Sequence, residues 1–232
     1  MSEQGNKTAA LILAGGSGSR MNSDLTKQKM TLLGSSVLWR SVKAFDLCED
    51  IFCIVVVVRE DEVEFAKSEL EKGISKPTYI VIGGKNRAES ARNGFLSLTS
   101  DIDFVAIHDA ARFLVTPEDV SLVVRAAYVN GAATAVGKVY DTLKVVNGDG
   151  FIGETIDRQK VRRAMTPQVF NTEVYSTALS KCSDLSAITD DNMLVEGIGV
   201  PIKCVEVSSD NIKITEMRDL EYAKILLSGR SK

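Results

Sequence analysis

The chain carries one histidine and four cysteines, and Cys48, Cys53, Cys182 and Cys204 are scattered with no Cys-x-x-Cys pair. That scarcity argues against a zinc site and against a disulfide framework, and points to reduced, buried thiols. No Ser-His-Asp or Cys-His arrangement can be assembled, so a covalent acyl intermediate has no support. A surplus of one charge is missing too. With 28 Lys and Arg against 31 Asp and Glu, the formal net charge is -3, and nothing general draws the chain to nucleic acid or anionic membrane. Any anion site must be local. The polar start, Met1 to Lys7, precedes an apolar run too short for a signal segment or a membrane span, so a cytoplasmic location is expected. No repeat, linker or low-complexity segment interrupts the 232 residues, and one domain over 1–232 is the expectation.

What the chain does have is a glycine loop. The apolar run Ala10 to Ala14 ends in Gly15-Gly16-Ser17-Gly18-Ser19-Arg20, and Lys27 follows. Glycines at a strand end let backbone N–H groups approach a ligand, and a guanidinium and an ammonium beside them suit a polyphosphate. The spelling fits neither familiar nucleotide loop: Met21 stands where a dinucleotide fingerprint needs its third glycine, and no Gly-Lys-Ser/Thr follows at P-loop spacing.

Helix and strand signals then alternate. Val37, Leu38, Val42 and Phe45 recur at helical spacing behind Ser35 and Ser36, and Ile51 to Val58 is a continuous β-branched run typical of a strand covered on both faces. A helix with Val63, Ala66 and Leu70, a strand Thr78 to Ile82, a helix with Ala88, Ala91, Phe95 and Leu98, and a strand Asp103 to Ile107 follow. Thr116-Pro117-Glu118-Asp119 is a strong helix start. The order predicts an α/β fold: a mostly parallel, doubly wound, Rossmann-like sheet with helices on both faces and ligands at the carboxyl ends of its strands. After the strand Ala132 to Val136, the runs Val139–Val146 and Phe151–Ile156 flank Asn147-Gly148-Asp149-Gly150, a hairpin turn. This reads as a protruding arm over about 138–157. A lone hairpin is marginal in water, so it should lie against a second subunit. Beyond it, helices from Thr172 and from about Thr189, a strand Ile202–Val207 and a last helix with Met217, Leu220, Ala223 and Leu227 are expected.

Three segments fall at strand ends: the Gly15 loop, Gly83-Gly84-Lys85-Asn86-Arg87, and His108-Asp109-Ala110-Ala111-Arg112. Asp109 could hold a magnesium ion bridging substrate phosphates, or merely cap the next segment. His108, with no acid or nucleophile partner in view, reads as structural. Of the cations Arg87, Arg112, Arg158, Arg162, Arg163 and Lys213, the pair Arg162 and Arg163 reads as solvated surface. Lys213, between Ile212 and Ile214, could point from a strand end into the cleft.

These residues resemble the 2-C-methyl-D-erythritol 4-phosphate cytidylyltransferase family. The motifs that carry the resemblance run from Leu13-Ala14-Gly15-Gly16-Ser17-Gly18-Ser19-Arg20-Met21 and Lys27-Gln28, through Gly83-Gly84 with Arg87 and Ser90, to His108-Asp109-Ala110-Ala111-Arg112. They continue in Asp141-Thr142-Leu143-Lys144, Asp157-Arg158, Thr166-Pro167-Gln168, Thr189-Asp190-Asp191 and Asp210-Asn211-Ile212-Lys213-Ile214-Thr215. The resemblance implies transfer of a cytidylyl group from CTP to methylerythritol phosphate, with magnesium and release of pyrophosphate. By the same resemblance, Ala14, Gly15, Gly16, Ser17 and Gly18 form a triphosphate cradle, Arg20 and Lys27 are transition-state cations, and Gly84, Lys85 and Ser90 read cytosine and ribose. Asp109 lies near metal and substrate, and Arg112 near the substrate. Arg158 and Lys213 hold the acceptor phosphate, with Thr142, Thr166 and Thr189 as neutral donors. Arg158, Thr142 and Thr166 are implied to come from the partner of a homodimer.

The family's usual prolines before Lys27 and after Arg112 are replaced by Thr26 and Phe113, which predicts less rigid loops and reduced activity. The Leu-Ala-Gly-Gly opening is shared with ribitol-5-phosphate cytidylyltransferases, which keeps that polyol phosphate as an alternative acceptor. Ser90-Ala91-Arg92-Asn93-Gly94-Phe95, Ala110-Ala111 and Ile188-Thr189-Asp190-Asp191 look more like the methylerythritol enzyme. A non-catalytic CTP-binding protein on the same fold is the alternative of a different class. Arg20, Lys27, Asp109 and Lys213 together argue against it.

Overall fold

The opening apolar run forms β1 (Thr8–Leu13), with all six residues buried, in the computed structural model, which describes residues 5–16 and 26–230. A short hairpin, β2 (Thr31–Leu32) and β3 (Ser35–Ser36), leads into α1 (Val37–Asp46), capped by the Ser36 hydroxyl, which accepts from Trp39 N–H at 3.0 Å. Next come β4 (Cys53–Val58), α2 (Val63–Leu70), β5 (Thr78–Ile82), α3 (Arg87–Leu96) and β6 (Phe104–Asp109). Then α4 (Pro117–Asn130) starts where the Thr116-Pro117 signal placed it, with Thr116 accepting from Asp119 N–H. Its partner strand is β7 (Ala132–Gly137). The hairpin β8 (Leu143–Val146) and β9 (Ile152–Ile156) follows, then β10 (Arg163–Asn171), α5 (Thr172–Lys181), α6 (Asp191–Glu196), β11 (Lys203–Glu206) and α7 (Met217–Arg230).

Among the described residues seven strands form one sheet in the order β11-β7-β10-β6-β1-β4-β5, in which β10 alone runs antiparallel to its neighbours. The strands alternate their side chains between two apolar layers. Ala10, Ile12, Ile54, Val56, Val58 and Ala106 meet α1, α2 and α4 on one face. Leu11, Leu13, Val55, Val57, Val105 and Ile107 meet α3, α5 and α6 on the other. The doubly wound arrangement follows from these all-buried strands, each too apolar to face water on either side.

A third cluster lies beyond the sheet: Met30, Leu32 and Val37 pack with Phe113, Leu114, Ile214, Leu220 and Ala223. It gathers the segment after Lys27, the turn after β6 and the segment after Lys213 into one body. The arm is present as a separate two-stranded sheet of β8 and β9. Its turn is closed by Asn147, whose side-chain oxygen accepts from the N–H groups of Asp149 and Phe151. Only Leu143–Val146 of the expected Val139–Val146 run is strand, and α3 stops at Leu96, short of Leu98. The expected strand around Lys213 is instead irregular chain, bound to the turn after β6 through Ile214 N–H and Ala111 O at 2.9 Å.

Candidate active site

Strand register brings the site together. Leu13 pairs with Asp109 of β6 and with Val57 of β4, while Val58 pairs with Ile82 of β5. The chain therefore leaves β1, β5 and β6 at one edge, and Gly15, Gly83 and Asp109 arrive there as neighbours. A cleft of about 450 Å³ opens at this edge, lined by Gly15, Gly16, Lys27, Gln28, Gly84, Lys85, Asn86, Arg87, Ser90, Asp109 and Lys213, with Leu13 and Ala111. A Cβ built on Gly15 or Gly16 would meet nothing nearer than 3.9 Å, and neither residue has a positive φ. Packing among the described residues does not demand glycine there, and the open backbone leaves room for a ligand to approach closely.

Asp109 is the electrostatic centre. Its Oδ1 accepts from Arg87 Nε at 2.9 Å and its Oδ2 from Lys213 Nζ at 2.6 Å. Burial by itself would raise the Asp109 carboxyl, but the Arg87 and Lys213 charges outweigh it and hold the group well below the ordinary carboxylate range. Arg87 is itself fixed, through Nη1, to Asp191 Oδ2 at 2.7 Å, and Asp191 Oδ1 accepts from the Tyr175 hydroxyl at 2.6 Å. Burial opposes the Arg87 charge, and the two carboxylates more than restore it, raising the guanidinium above its usual value. Among the described residues Asp109 is the sole carboxylate lining the cleft, against Lys27, Lys85, Arg87 and Lys213. Such a balance suits a polyanion.

The lysines are aimed from separate elements. Lys27 starts a 3-10 turn, Lys27–Lys29, and its Nζ donates to Ile214 O at 3.0 Å and Thr215 O at 3.2 Å, which sets it beside the Lys213 segment. The Gly84 loop is closed on α3. Gly84 N–H donates to Ser90 Oγ at 3.0 Å and Lys85 N–H to Glu89 Oε2 at 2.9 Å, while Asn86 caps the helix through Glu89 N–H. With two N–H groups engaged, the loop has its carbonyl oxygens to offer a base edge.

The other expected residues lie beneath the cleft or away from it. Ala14 is buried beneath it, its N–H on Val57 O at 2.8 Å. Arg112 holds two carbonyls, Asn211 O at 3.0 Å and Ala164 O at 3.3 Å, and so clamps the Lys213 segment to β10. Thr166 lies in the central sheet, outside the arm. Its buried hydroxyl accepts from Asp109 N–H at 3.1 Å and sits 2.9 Å from His108 Nδ1, so it supports the Asp109 backbone. His108 is fully buried, and burial lowers its imidazole to about 3, in keeping with a structural role. Thr189 is exposed before α6, its hydroxyl 2.9 Å from Met193 Sδ. Thr142 and Arg158 are exposed at the arm, and Arg158 lines a separate hollow with Tyr140, Lys138 and Arg162, donating to Tyr140 O at 2.6 Å. Ser17, Gly18 and Arg20 lie outside the described residues.

The prolines the chain lacks are replaced in shape. Thr26 has φ -67° and Phe113 φ -64°, both in the range a proline ring imposes. Phe113 is buried in the third cluster, and the Thr26 hydroxyl donates to Glu62. Both positions are anchored by contacts. Arg87, Asp191, Gln28 and Asn86 had no assigned role from the sequence. Arg87 stood among the unexplained cations and Asp191 ended the Thr189-Asp190-Asp191 motif, but only the fold brings them to Asp109.

The family model for 2-C-methyl-D-erythritol 4-phosphate cytidylyltransferase matches residues 8–229. A protein of that name from Endomicrobium trichonymphae is 40% identical over 223 residues, covering 96% of this chain and 100% of the relative. Another, from Caldanaerobacter subterraneus subsp. tengcongensis, is 41% identical over 222 residues, covering 94% and 98%. Among solved structures, 4-diphosphocytidyl-2C-methyl-D-erythritol synthase from Anaerococcus prevotii superposes with a TM-score of 0.86 at 27% identity, covering 96% of each chain.

Proposed function

The chain belongs to the 2-C-methyl-D-erythritol 4-phosphate cytidylyltransferase family, and we propose that Arg20, Lys27, Asp109, Lys213 and the glycine loop carry that family's reaction here. The enzyme joins CTP and 2-C-methyl-D-erythritol 4-phosphate to give CDP-methylerythritol and pyrophosphate in nonmevalonate isoprenoid biosynthesis. The observation that most supports the assignment of roles is the 2.6 Å contact of Lys213 with Asp109 inside a cleft also lined by Lys27 and Gly15-Gly16.

In the reaction an acceptor phosphate oxygen forms a bond to the α-phosphorus of CTP, and the bond from that phosphorus to the bridging β-oxygen breaks as pyrophosphate leaves. The nucleophile is already anionic, so no general base is needed. The protein's work is to bring two anions together and to stabilise charge on the phosphorus oxygens. Lys213 takes the acceptor phosphate, and Lys27 with Arg20 takes the α-phosphate and leaving group. The glycine loop cradles the triphosphate, and the carbonyls of the Gly84 loop match the amino group of cytosine, with Ser90 closing that loop. By this proposal Arg112 serves the acceptor side through the Lys213 segment that it clamps, and Thr189 is a further neutral donor to the acceptor.

Magnesium fits as an ion carried in with the nucleotide. Among the described residues no group of three His, Cys, Asp or Glu could hold a metal, but one carboxylate with phosphate oxygens and water is an ordinary magnesium ligand set. Asp109 would hold it. Bound there, magnesium would supply charge neutralisation on the phosphates. The exposed Thr142 and Arg158, on an arm too small to be stable alone, support a homodimer in which the arm reaches the partner's cleft. Among the described residues no helix is long and apolar enough to cross a membrane. A cytoplasmic location is in keeping with four free cysteines.

The test is pyrophosphate release from CTP or ATP with methylerythritol phosphate, ribitol 5-phosphate or no acceptor. Release should require CTP and methylerythritol phosphate together. Equal rates with ribitol 5-phosphate would overturn the acceptor, and release without acceptor would overturn the transfer.

A further inference from the structure

Glu62 is 1% exposed, although its neighbours Glu60, Asp61 and Glu64 all face solvent. It ends the 3-10 turn Glu60–Glu62 that precedes α2, and its side chain turns inward against the segment carrying Lys27. There Oε1 accepts from the Thr26 hydroxyl, while Oε2 is buried with no hydrogen-bond partner among the described residues. Turning an acidic side chain away from water is costly, so the contact it makes should have a use.

Thr26 is the residue before the Lys27–Lys29 turn, a position where threonine ordinarily caps by accepting from a backbone N–H of the first turn. Here the side chain makes no cap bond. Its hydroxyl donates across 36 positions of chain to Glu62 instead. A second contact runs the same way: Lys29 Nζ lies 5.6 Å from the centroid of the Phe65 ring on α2. The turn is therefore tied to the start of α2 on both sides of Lys27. The far end of Lys27 is held by the carbonyls of Ile214 and Thr215, next to Lys213.

We infer that Glu62 is a positioning residue for the transfer, acting through Thr26 to fix the backbone from which Lys27 reaches the triphosphate. This rests on the role proposed above for Lys27. Glu62 touches no substrate. Its function is to hold Thr26 near φ -67° in a chain where no ring constrains that angle. The consequence is catalytic precision more than stability, because a side chain displaced by a fraction of an ångström loses rate steeply in a site that works by orientation.

Thr26→Val removes the hydroxyl at nearly constant volume, Thr26→Ser keeps it, and Glu62→Gln keeps an acceptor. All would be compared in the full chain by pyrophosphate release and by thermal unfolding. Thr26→Val should lower kcat about tenfold with KM for methylerythritol phosphate unchanged, while Thr26→Ser and Glu62→Gln stay within about twofold. The deciding measurement repeats Thr26→Val in a Lys27→Ala background, in single turnovers with enzyme in excess. There it should have no further effect. A full tenfold loss in that background would mean that Thr26 acts independently of Lys27, and an unchanged kcat for Thr26→Val alone would mean that the contact positions nothing. Either result overturns the inference. If Lys27→Ala itself turns over normally, the role of Lys27 fails instead, which keeps the two failures distinct. A fall in kcat of Thr26→Val matched by a large drop in Tm, with Thr26→Ser equally impaired, would assign the contact to folding and also overturn it.

Discussion

Arg87 reaches Asp109 from the first turn of α3, its Nε 2.9 Å from Oδ1, while its Nη1 stays 2.7 Å from Asp191. One guanidinium thus spans two buried carboxylates, one at the end of β6 and one at the start of α6, and a planar fork is suited to such a bridge. Arg87→Ala should cost about 3 kcal/mol or more, because it leaves buried Asp191 without a cation and Asp109 with Lys213 alone. Arg87→Lys should recover only part, since a single ammonium cannot hold both partners. Urea unfolding at neutral pH measures this. A loss below about 1 kcal/mol for Arg87→Ala would mean that water replaces the bridge at little cost.

The buried histidine sets an acid limit on stability. The unfolded chain protonates His108 near 6.5, whereas the folded chain keeps it neutral down to about 3. Between those values the unfolded state binds more protons, so stability falls as pH drops through that window. Asp109 behaves differently. Its depressed value keeps its contribution whole above the ordinary carboxylate pKa, and that contribution is lost progressively as pH falls from there to the lower folded value. His108→Asn, whose amide can meet the Thr166 hydroxyl through either its oxygen or its nitrogen, should therefore flatten the stability slope between pH 7 and 4.5. Parallel slopes for the two proteins would show that another group sets the limit.

Gly84 is a position where glycine is required by space. A Cβ there would overlap Glu89 Cβ and come 3.0 Å from the Glu89 backbone carbon. Gly84→Ala should push the loop off α3, break its N–H bond to Ser90 and raise KM for CTP about tenfold, or 1.4 kcal/mol, with a smaller change in kcat. An unchanged KM would show that the loop does not contact the nucleotide.

If the arm completes the partner's site, Arg158→Ala and Lys213→Ala should each be nearly inactive alone yet recover activity when mixed and allowed to exchange subunits. A mixed dimer has one intact site and one carrying both defects, so recovery should approach about half per mixed dimer. Sedimentation as a monomer at assay concentration, or no recovery after proven exchange, would show that the arm works within its own chain.

Elements were legible in the sequence wherever one local pattern dominated. The β-branched run of β4, the Thr116-Pro117 start of α4 and the Asn147 hairpin turn each carry their own instruction in a few residues, and each stands where that instruction placed it. The cleft was legible as a set of motifs at strand ends, because a parallel sheet delivers those ends to one edge. What the sequence by itself determined, then, was the alternating fold and the residues available for polyphosphate chemistry, since periodicity, caps and turn residues act over a few positions. Tertiary structure decided which charges meet. Arg87 finds Asp191 across 104 positions, Lys213 finds Asp109 across another 104, and Glu62 turns inward to Thr26 while the acids beside it face water. No local pattern distinguishes these carboxylates from solvated ones. Their burial and pairing depend on sheet register and on the layers that close over them, and those are properties of the folded chain as a whole.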